Sequence, residues 1–303
     1  MKKIREMFSL KSIINEQYNV NQVHCLNNDE IIEIQNALLD MYRDIMDACE
    51  KYDIKPFLQG GTLLGKVRHD GFIPWDDDLD LGMTRNDYEK FKSIYSKELS
   101  DRYILTAPNS QYEAAARFIQ LYKIDSYYEA FAHRKSAPKK LYIDIFPIDY
   151  VPNNCILRKI KGHYSNLLMF IAGSIEFNQD IAPYIRKLGE RSIITLAYLK
   201  IRSVLGSIAI LKKRSAWYTS IDKAIKQSKK TKMCTSGTGR KHYLGECVPT
   251  ETFLPLKEDT FMGVKAWIPN DTVAYLCNLY GDNYMEVPPI EKREHHFVKK
   301  FRV

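Results

Sequence analysis

Apolar residues follow two different periods along this chain, and the changes between them mark out its elements. Between Asn28 and Tyr52 they recur at Ile34, Leu38, Met41, Ile45 and Cys49, three or four apart, which predicts an amphipathic helix capped by Asn28 or Asp29. Lys55 to Gln59 reads as a short buried strand stopped by Gly60-Gly61, and Thr62 to His69 as a short helix broken near Asp70-Gly71. The period then falls to two. Leu79, Leu81 and Met83 alternate with Asp78, Asp80 and Gly82, and Ile143 and Ile145 alternate with Tyr142, Asp144 and Phe146, so each run predicts a strand.

Between those strands, Asn86 to Leu99 predicts a helix and Tyr112 to Tyr128 contributes strand. Asn154 to Lys230 reads as mostly helical, with Leu167, Phe170 and Ile171 as one apolar stripe and Ile193, Leu196, Ala197 and Leu199 in another apolar stretch. Phe261 to Ile268 is strand-like, and Asn270 to Tyr280 predicts a helix ended by Gly281. The expected organisation is an α/β catalytic domain carrying a long insertion: an N-terminal extension over 1–27, a catalytic core over 28–153, a basic and mostly helical insertion over 154–242, and a C-terminal part over 243–303 that completes the domain.

Charge sharpens that division. Ile156 to Lys241 holds 18 Lys/Arg against 4 Asp/Glu, a charge of +14 that leaves the rest of the chain at −6 of the total +8. Such a block meets nucleic acid, anionic lipid or an anionic polymer, or is simply a solvated helical face. The six cysteines are scattered, with no CxxC pair, which points to reduced thiols in the cytoplasm. The basic N-terminus is interrupted by Arg5, Glu6, Lys11 and Glu16 before a secretory apolar run develops. Ser192 to Leu211 carries Lys200 and Arg202, each costing about 2.5–3.5 kcal/mol at a bilayer centre, so no transmembrane helix is expected.

The acidic strand carries the chemistry. Residues two apart in a strand point the same way, about 6.5–7 Å from one another, so Asp78 and Asp80 can share a metal. Without a cation their charges would repel, and all-oxygen ligands favour Mg²⁺ or Mn²⁺. Asp76 faces the same side, and spacing alone leaves open which of the three bind. Gly60-Gly61, after a strand and before a helix, lets backbone N–H groups approach an anion, and Thr62 adds a hydroxyl donor. Lys66 and His69, three apart with Arg68 between them, are candidate phosphate contacts, while Asp144 in the second strand is a candidate third ligand or general base.

Taken together, LQGGTLLGKVRHDGFIPWDDDLDLGM (Leu58 to Met83), YIDIFPIDYVP (Tyr142 to Pro152) and YGDNYMEVPPIEKREHHF (Tyr280 to Phe297) resemble the LicD family, which is related to the fukutin-type proteins. FLPLKEDTFMGVKAWIP (Phe253 to Pro269) also resembles its C-terminal pattern. The resemblance implies a nucleotidyltransferase-like mixed α/β sheet flanked by helices. Within it Gly60-Gly61 is the turn, Asp78 and Asp80 are the paired metal ligands, Asp144 is the third carboxylate and likeliest base, and Asp76 has a supporting or turn role. It further implies Mg²⁺-dependent (or Mn²⁺-dependent) transfer of phosphocholine or a phosphopolyol from a CDP-linked donor to a hydroxyl of a cell-surface glycan or its lipid-linked precursor. Gly61, Thr62, Lys66 and Arg68 would contact the donor. One departure is ARFIQLYKIDS, where Gln120 and Ser126 stand in place of a basic residue and Thr, leaving Arg117 or Lys123 to supply the charge.

For the basic insertion, the resemblance implies contact with an anionic lipid-linked acceptor at the cytoplasmic membrane face, without a nucleic-acid partner. Three rival readings make distinct predictions. DDDLD also satisfies the DDxxD pattern of prenyl-diphosphate enzymes, which requires an all-helical chain. A nucleotidyltransferase moving NMP would release pyrophosphate. A non-enzymatic polyanion binder would show salt-sensitive binding that survives loss of the acidic strand.

Overall fold

A computed structural model describes residues 24–108, 116–130, 137–181, 193–293 and 297–303. His295 and His296, most of the N-terminal extension and the beginning of the Tyr112–Tyr128 stretch lie outside the described residues. The first long helix, α1 (Asn28–Glu50), follows the short strand β1 (His24–Cys25). The cap is Asn27, one residue before the expected position: its side chain accepts from Glu30 N while Glu30 reaches back to the Asn27 N–H, a reciprocal box worth about 1 kcal/mol. All five residues of the expected stripe are fully buried.

Strand β2 (Phe57–Leu58) leads through Gln59 into helix α2 (Gly60–His69), which ends where Asp70 turns left-handed. Strand β3 (Asp80–Thr84) and helix α3 (Arg85–Glu98) follow, then β4 (Tyr103–Thr106), β5 (Ile119–Lys123), β6 (Tyr127–Ala130) and the long β7 (Tyr142–Tyr150). Three helices come next, α4 (Cys155–Glu176), α5 (Ile193–Ala209) and α6 (Arg214–Ile225). The chain returns through β8 (Met233–Thr235), α7 (His242–Gly245), β9 (Val248–Pro249) and α8 (Thr250–Phe253). It closes with β10 (Lys257–Phe261), β11 (Val264–Ile268), α9 (Thr272–Tyr280) and β12 (Phe297–Arg302).

The central sheet is mixed and runs β10-β11-β2-β3-β7-β5-β4, with β8 and β9 extending it from β7. A smaller sheet has the order β1-β12-β6. The mixed sheet excludes the all-helical chain that the DDxxD reading requires. Strand β3 lies at the centre, antiparallel to β2 and parallel to β7, and its Leu81, Gly82 and Met83 are buried. Gly82 is required there, because a Cβ would meet the Phe57 ring and stand 2.6 Å from Gln59 Oε1.

Two expectations need correction. Phe261 to Ile268 is not one strand: Met262-Gly263, both at positive φ, fold it into the antiparallel β10–β11 hairpin. In α4 the core face is Leu168, Met169, Ala172 and Ile175, whereas Leu167 is exposed and Phe170 and Ile171 are only half-buried. That apolar stripe therefore sits at the edge and on the outside of the helix. Helices α4 and α6 enclose a second apolar cluster, with Leu168, Met169, Ala172, Tyr218, Ile221 and Ile225, and Val151 and Tyr243 join it from the flanking segments.

A buried ion network ties this cluster to the sheet. Arg85 at the start of α3 grips Asp149 of β7 at 2.8 and 2.5 Å and reaches Asp222 of α6 at 2.8 Å, with Arg85 and Asp149 almost wholly excluded from solvent.

Candidate active site

The parallel pairing of β3 and β7 places Asp80 directly opposite Asp144, and the antiparallel pairing of β5 with β7 places Gln120 on the other side of Asp144. Gln120 Nε2 donates to Asp144 Oδ1 at 2.9 Å, while Tyr122 OH donates to Gln120 Oε1 at 2.8 Å. A neutral amide thus orients the carboxylate from the position where the resemblance leads one to expect a basic residue.

Asp80 is the electrostatic centre. Burial raises its carboxyl well above the usual range, and the neighbouring Asp78, Asp144 and Asp76 carboxylates raise it further. The alternation of the acidic run persists ahead of β3. Asp76, Asp78 and Asp80 act on one another, whereas Asp77 is buried and accepts the Tyr128 hydroxyl.

Gly60, at φ +56°, lies flat against Asp80, where a Cβ would stand 2.7 Å from Asp80 Oδ2. At Gly61 a Cβ would stand 3.1 Å from Asp76 Oδ2. The positive end of α2 therefore abuts the acidic run through bare backbone, an arrangement that lets a cation and an anionic ligand approach together. The Gly60 N–H donates to Tyr275 OH at 3.3 Å.

The remaining expected residues have diverse settings. Thr62 is buried, and its hydroxyl accepts the Asp80 N–H at 2.8 Å, so it locks α2 to β3 where a donor toward ligand was expected. Lys66 pairs with Asp70 at 2.7 Å and Asp259 at 3.5 Å. Arg117 pairs with Glu176 of α4 at 2.5 Å. Arg68 donates to the Tyr284 and Glu286 carbonyls at 3.1 Å and to His69 Nε2 at 3.0 Å. Burial first, then Arg68 and Arg293, holds the His69 imidazole below its usual pKa.

Several neighbours are not evident from the sequence pattern. Arg293 stacks over Trp75 at 4.1 Å, with Arg68 at 6.0 Å and the His69 ring at 5.8 Å from the same indole. Arg240 stacks over Tyr280 at 5.7 Å, and the Tyr280 hydroxyl is raised by burial and by Asp80, Asp76 and Asp78. Arginines thus flank the acidic run on two sides. Glu246 is buried and pushed up to about 7 by that burial. The Gly239 backbone folds around it, so that a Cβ there would stand 2.6 Å from Glu246 Oε2. Among the described residues Gln59 Oε1 and Glu246 Oε2 are buried without a hydrogen-bond partner, and Gln59 Nε2 donates to Ser236 Oγ at 2.8 Å. The one sequence signal for this shell is the run SGTGRK at Ser236–Lys241, small residues followed by a basic pair.

The donor set suits a hard divalent cation in kind, since carboxylates crowd a half-buried Asp80 that their repulsion already perturbs. Among the described residues, no three Asp, Glu, His or Cys side chains form a closed ligand cluster.

Comparison with known proteins gives the same family as the motifs. Residues 53–176 match the model for the LicD/FKTN/FKRP nucleotidyltransferase domain. The chain is 27% identical over 284 residues to the lipopolysaccharide cholinephosphotransferase LicD of Haemophilus influenzae, covering 92% of this chain and 95% of that protein. It is 30% identical over 118 residues to an uncharacterised Rickettsia prowazekii protein, covering 39% of this chain and 41% of that one. It is also 26% identical over 123 residues to the human ribitol 5-phosphate transferase FKRP, covering 41% of this chain and 22% of that protein.

Proposed function

We propose that this chain, whose residues 53–176 match the LicD/FKTN/FKRP nucleotidyltransferase domain, transfers a phospho-headgroup, phosphocholine or a phosphopolyol, from a CDP-linked donor to a hydroxyl of a cell-surface glycan or its lipid-linked precursor. The observation that carries this reading is the facing of Asp80 and Asp144 across β3 and β7, with Gly60 stripped of a side chain against Asp80. A site that gathers carboxylates beside a positive helix end is built for a polyphosphate and its counter-ion.

Asp78, Asp80 and Asp144 would hold Mg²⁺ or Mn²⁺, which when bound neutralises the diphosphate and stabilises the departing CMP. The protein's own groups do the rest. The N-terminal turn of α2 supplies a positive dipole to the donor phosphates, and Gly60 and Gly61 keep that approach open. Arg68, Arg240 and Arg293 line the flanks as counter-charges for the donor, with the neutral His69 imidazole beside Arg68. Asp144, held by Gln120, accepts the proton of the acceptor hydroxyl. A lipid-linked acceptor would bring the protein to the cytoplasmic face of an anionic membrane.

The deciding experiment offers a panel of CDP-linked donors with Mg²⁺ and follows CMP release. Release of pyrophosphate from a nucleoside triphosphate, with CDP-linked donors inert, would replace this reading with NMP transfer.

A further inference from the structure

Helix α4 turns Ile156, Ile160, Tyr164 and Leu167 outward at spacings of four, four and three, and α5 does the same with Ile201, Val204 and Ile208 at three and four, with exposed Leu211 following in the turn just beyond its end. These eight side chains are 53% to 89% exposed. Each spacing is that of a single helical face. The opposite faces are occupied: α4 packs Leu168, Met169 and Ala172 into its core, and on α5 Arg202 donates to the Gly173 carbonyl at 2.7 Å. Gly206 lies so close to the Ser174 carbonyl that a Cβ has no room. The outward stripes are therefore not the buried sides of misplaced helices.

Charge selects among the surfaces that would cover them. Exposed Lys159 flanks the α4 stripe, exposed Lys200 flanks that of α5, and exposed Lys212 and Lys213 follow Leu211 directly. The two helices carry a single acidic residue, Glu176, which is already engaged by Arg117 and Tyr218. A second copy of the chain would bring like charges together around the apolar contact, and nucleic acid would leave eight mostly aliphatic side chains without a suitable surface. Aliphatic stripes with a tyrosine and lysine borders match the boundary between headgroups and acyl chains of an anionic bilayer.

We propose that the outward faces of α4 and α5 form a docking surface for an anionic lipid bilayer, with their apolar side chains entering the interface and the lysines contacting headgroups. The proposal deepens the lipid-linked acceptor of the proposed function and rests on it for purpose, although its structural basis lies outside the active site.

The test is co-sedimentation of the full chain with vesicles of phosphatidylcholine alone or mixed with phosphatidylglycerol. Binding should require the anionic lipid and weaken with salt. The double variants Ile160→Glu/Leu167→Glu and Ile201→Glu/Ile208→Glu should each reduce partitioning by more than about tenfold. Val273→Glu, at an exposed apolar position of α9, should leave it unchanged. In Ile201→Trp, tryptophan emission should shift to the blue on anionic vesicles and be quenched by brominated acyl chains. Wild-type partitioning in both double variants, or their converting a dimer to monomers with vesicle binding intact, would overturn the proposal. Transfer to a lipid-free acceptor separates the two readings: variants that lose vesicles but keep this transfer support the docking surface. A wild type that binds vesicles but transfers no headgroup refutes only the proposed function.

Discussion

Replacing Gly60 by Ala tests the site at its tightest point. Two costs add at this position. Its φ of +56° is left-handed, which costs an L-residue about 1–2 kcal/mol, and the new methyl would stand 2.7 Å from Asp80 Oδ2. Asp80 has little freedom to retreat, since its backbone N–H is held by Thr62 and its carbonyl by the Gln59 N–H. A shorter unfolded-state ensemble returns only about 0.4–1 kcal/mol, so the net loss is about 1–3 kcal/mol, a fall of a few degrees in Tm. Activity should fall much further, by about a hundredfold, because misplacing a reacting-site carboxylate by ~1 Å has that effect.

Gly61→Ala is the internal control. Its φ is not positive, and the added methyl would stand 3.1 Å from Asp76 Oδ2, so small relaxation should leave stability within about 0.5 kcal/mol of the parent. Thermal unfolding and CMP release on both variants check the contrast. Equal stability and activity in Gly60→Ala and the parent would refute the claim that Gly60 is required by its contact with Asp80.

Three further outcomes follow from the same geometry. Asp80→Asn should abolish the proposed transfer yet raise stability at neutral pH: a raised folded-state pKa makes the protonated form the favourable one, and that contribution is lost as pH rises. Unfolding curves and turnover on one preparation check both halves. For Glu246 the folded value of about 7 exceeds the ordinary carboxyl value of 4.5, so the parent should lose stability relative to Glu246→Gln between those pH values, by at most about 3 kcal/mol, and a Tm difference that stays flat across that window would contradict the buried carboxyl. Asp149→Ala leaves Arg85 buried with only Asp222 and Glu89 and should cost about 3–5 kcal/mol in denaturant unfolding.

The sequence was most legible where a local period and a local stop coincided. Helix α1 and strands β3 and β7 were readable because their buried positions repeat with the element's own geometry and burial enforces the pattern. The facing of Asp80 and Asp144 needed the parallel register of two strands far apart in sequence, which no local spacing encodes. Thr62 was read from its type as a ligand donor, whereas its position one turn inside α2 gives it a backbone partner in β3. Arg240, Arg293 and Glu246 carry no such signal, because each reaches the site from a loop or turn, outside any periodic element. The inward face of α4 is illegible for the opposite reason: its outward face is as apolar as its inward one, so periodicity cannot tell them apart.

The Arg85–Asp149–Asp222 network sets a rule for exchanging parts between relatives. The helical segment is joined to the sheet by the peptide chain and also by a guanidinium whose partners come from both sides of the junction. A chimaera that grafts a foreign segment over 154–230 would remove Asp222 while leaving Arg85 and Asp149 in place, changing the charge balance at a site without solvent to compensate. Modular exchange should therefore succeed only when the incoming helix brings its own carboxylate to that position, or when Arg85 and Asp149 are replaced together by apolar residues of matching volume.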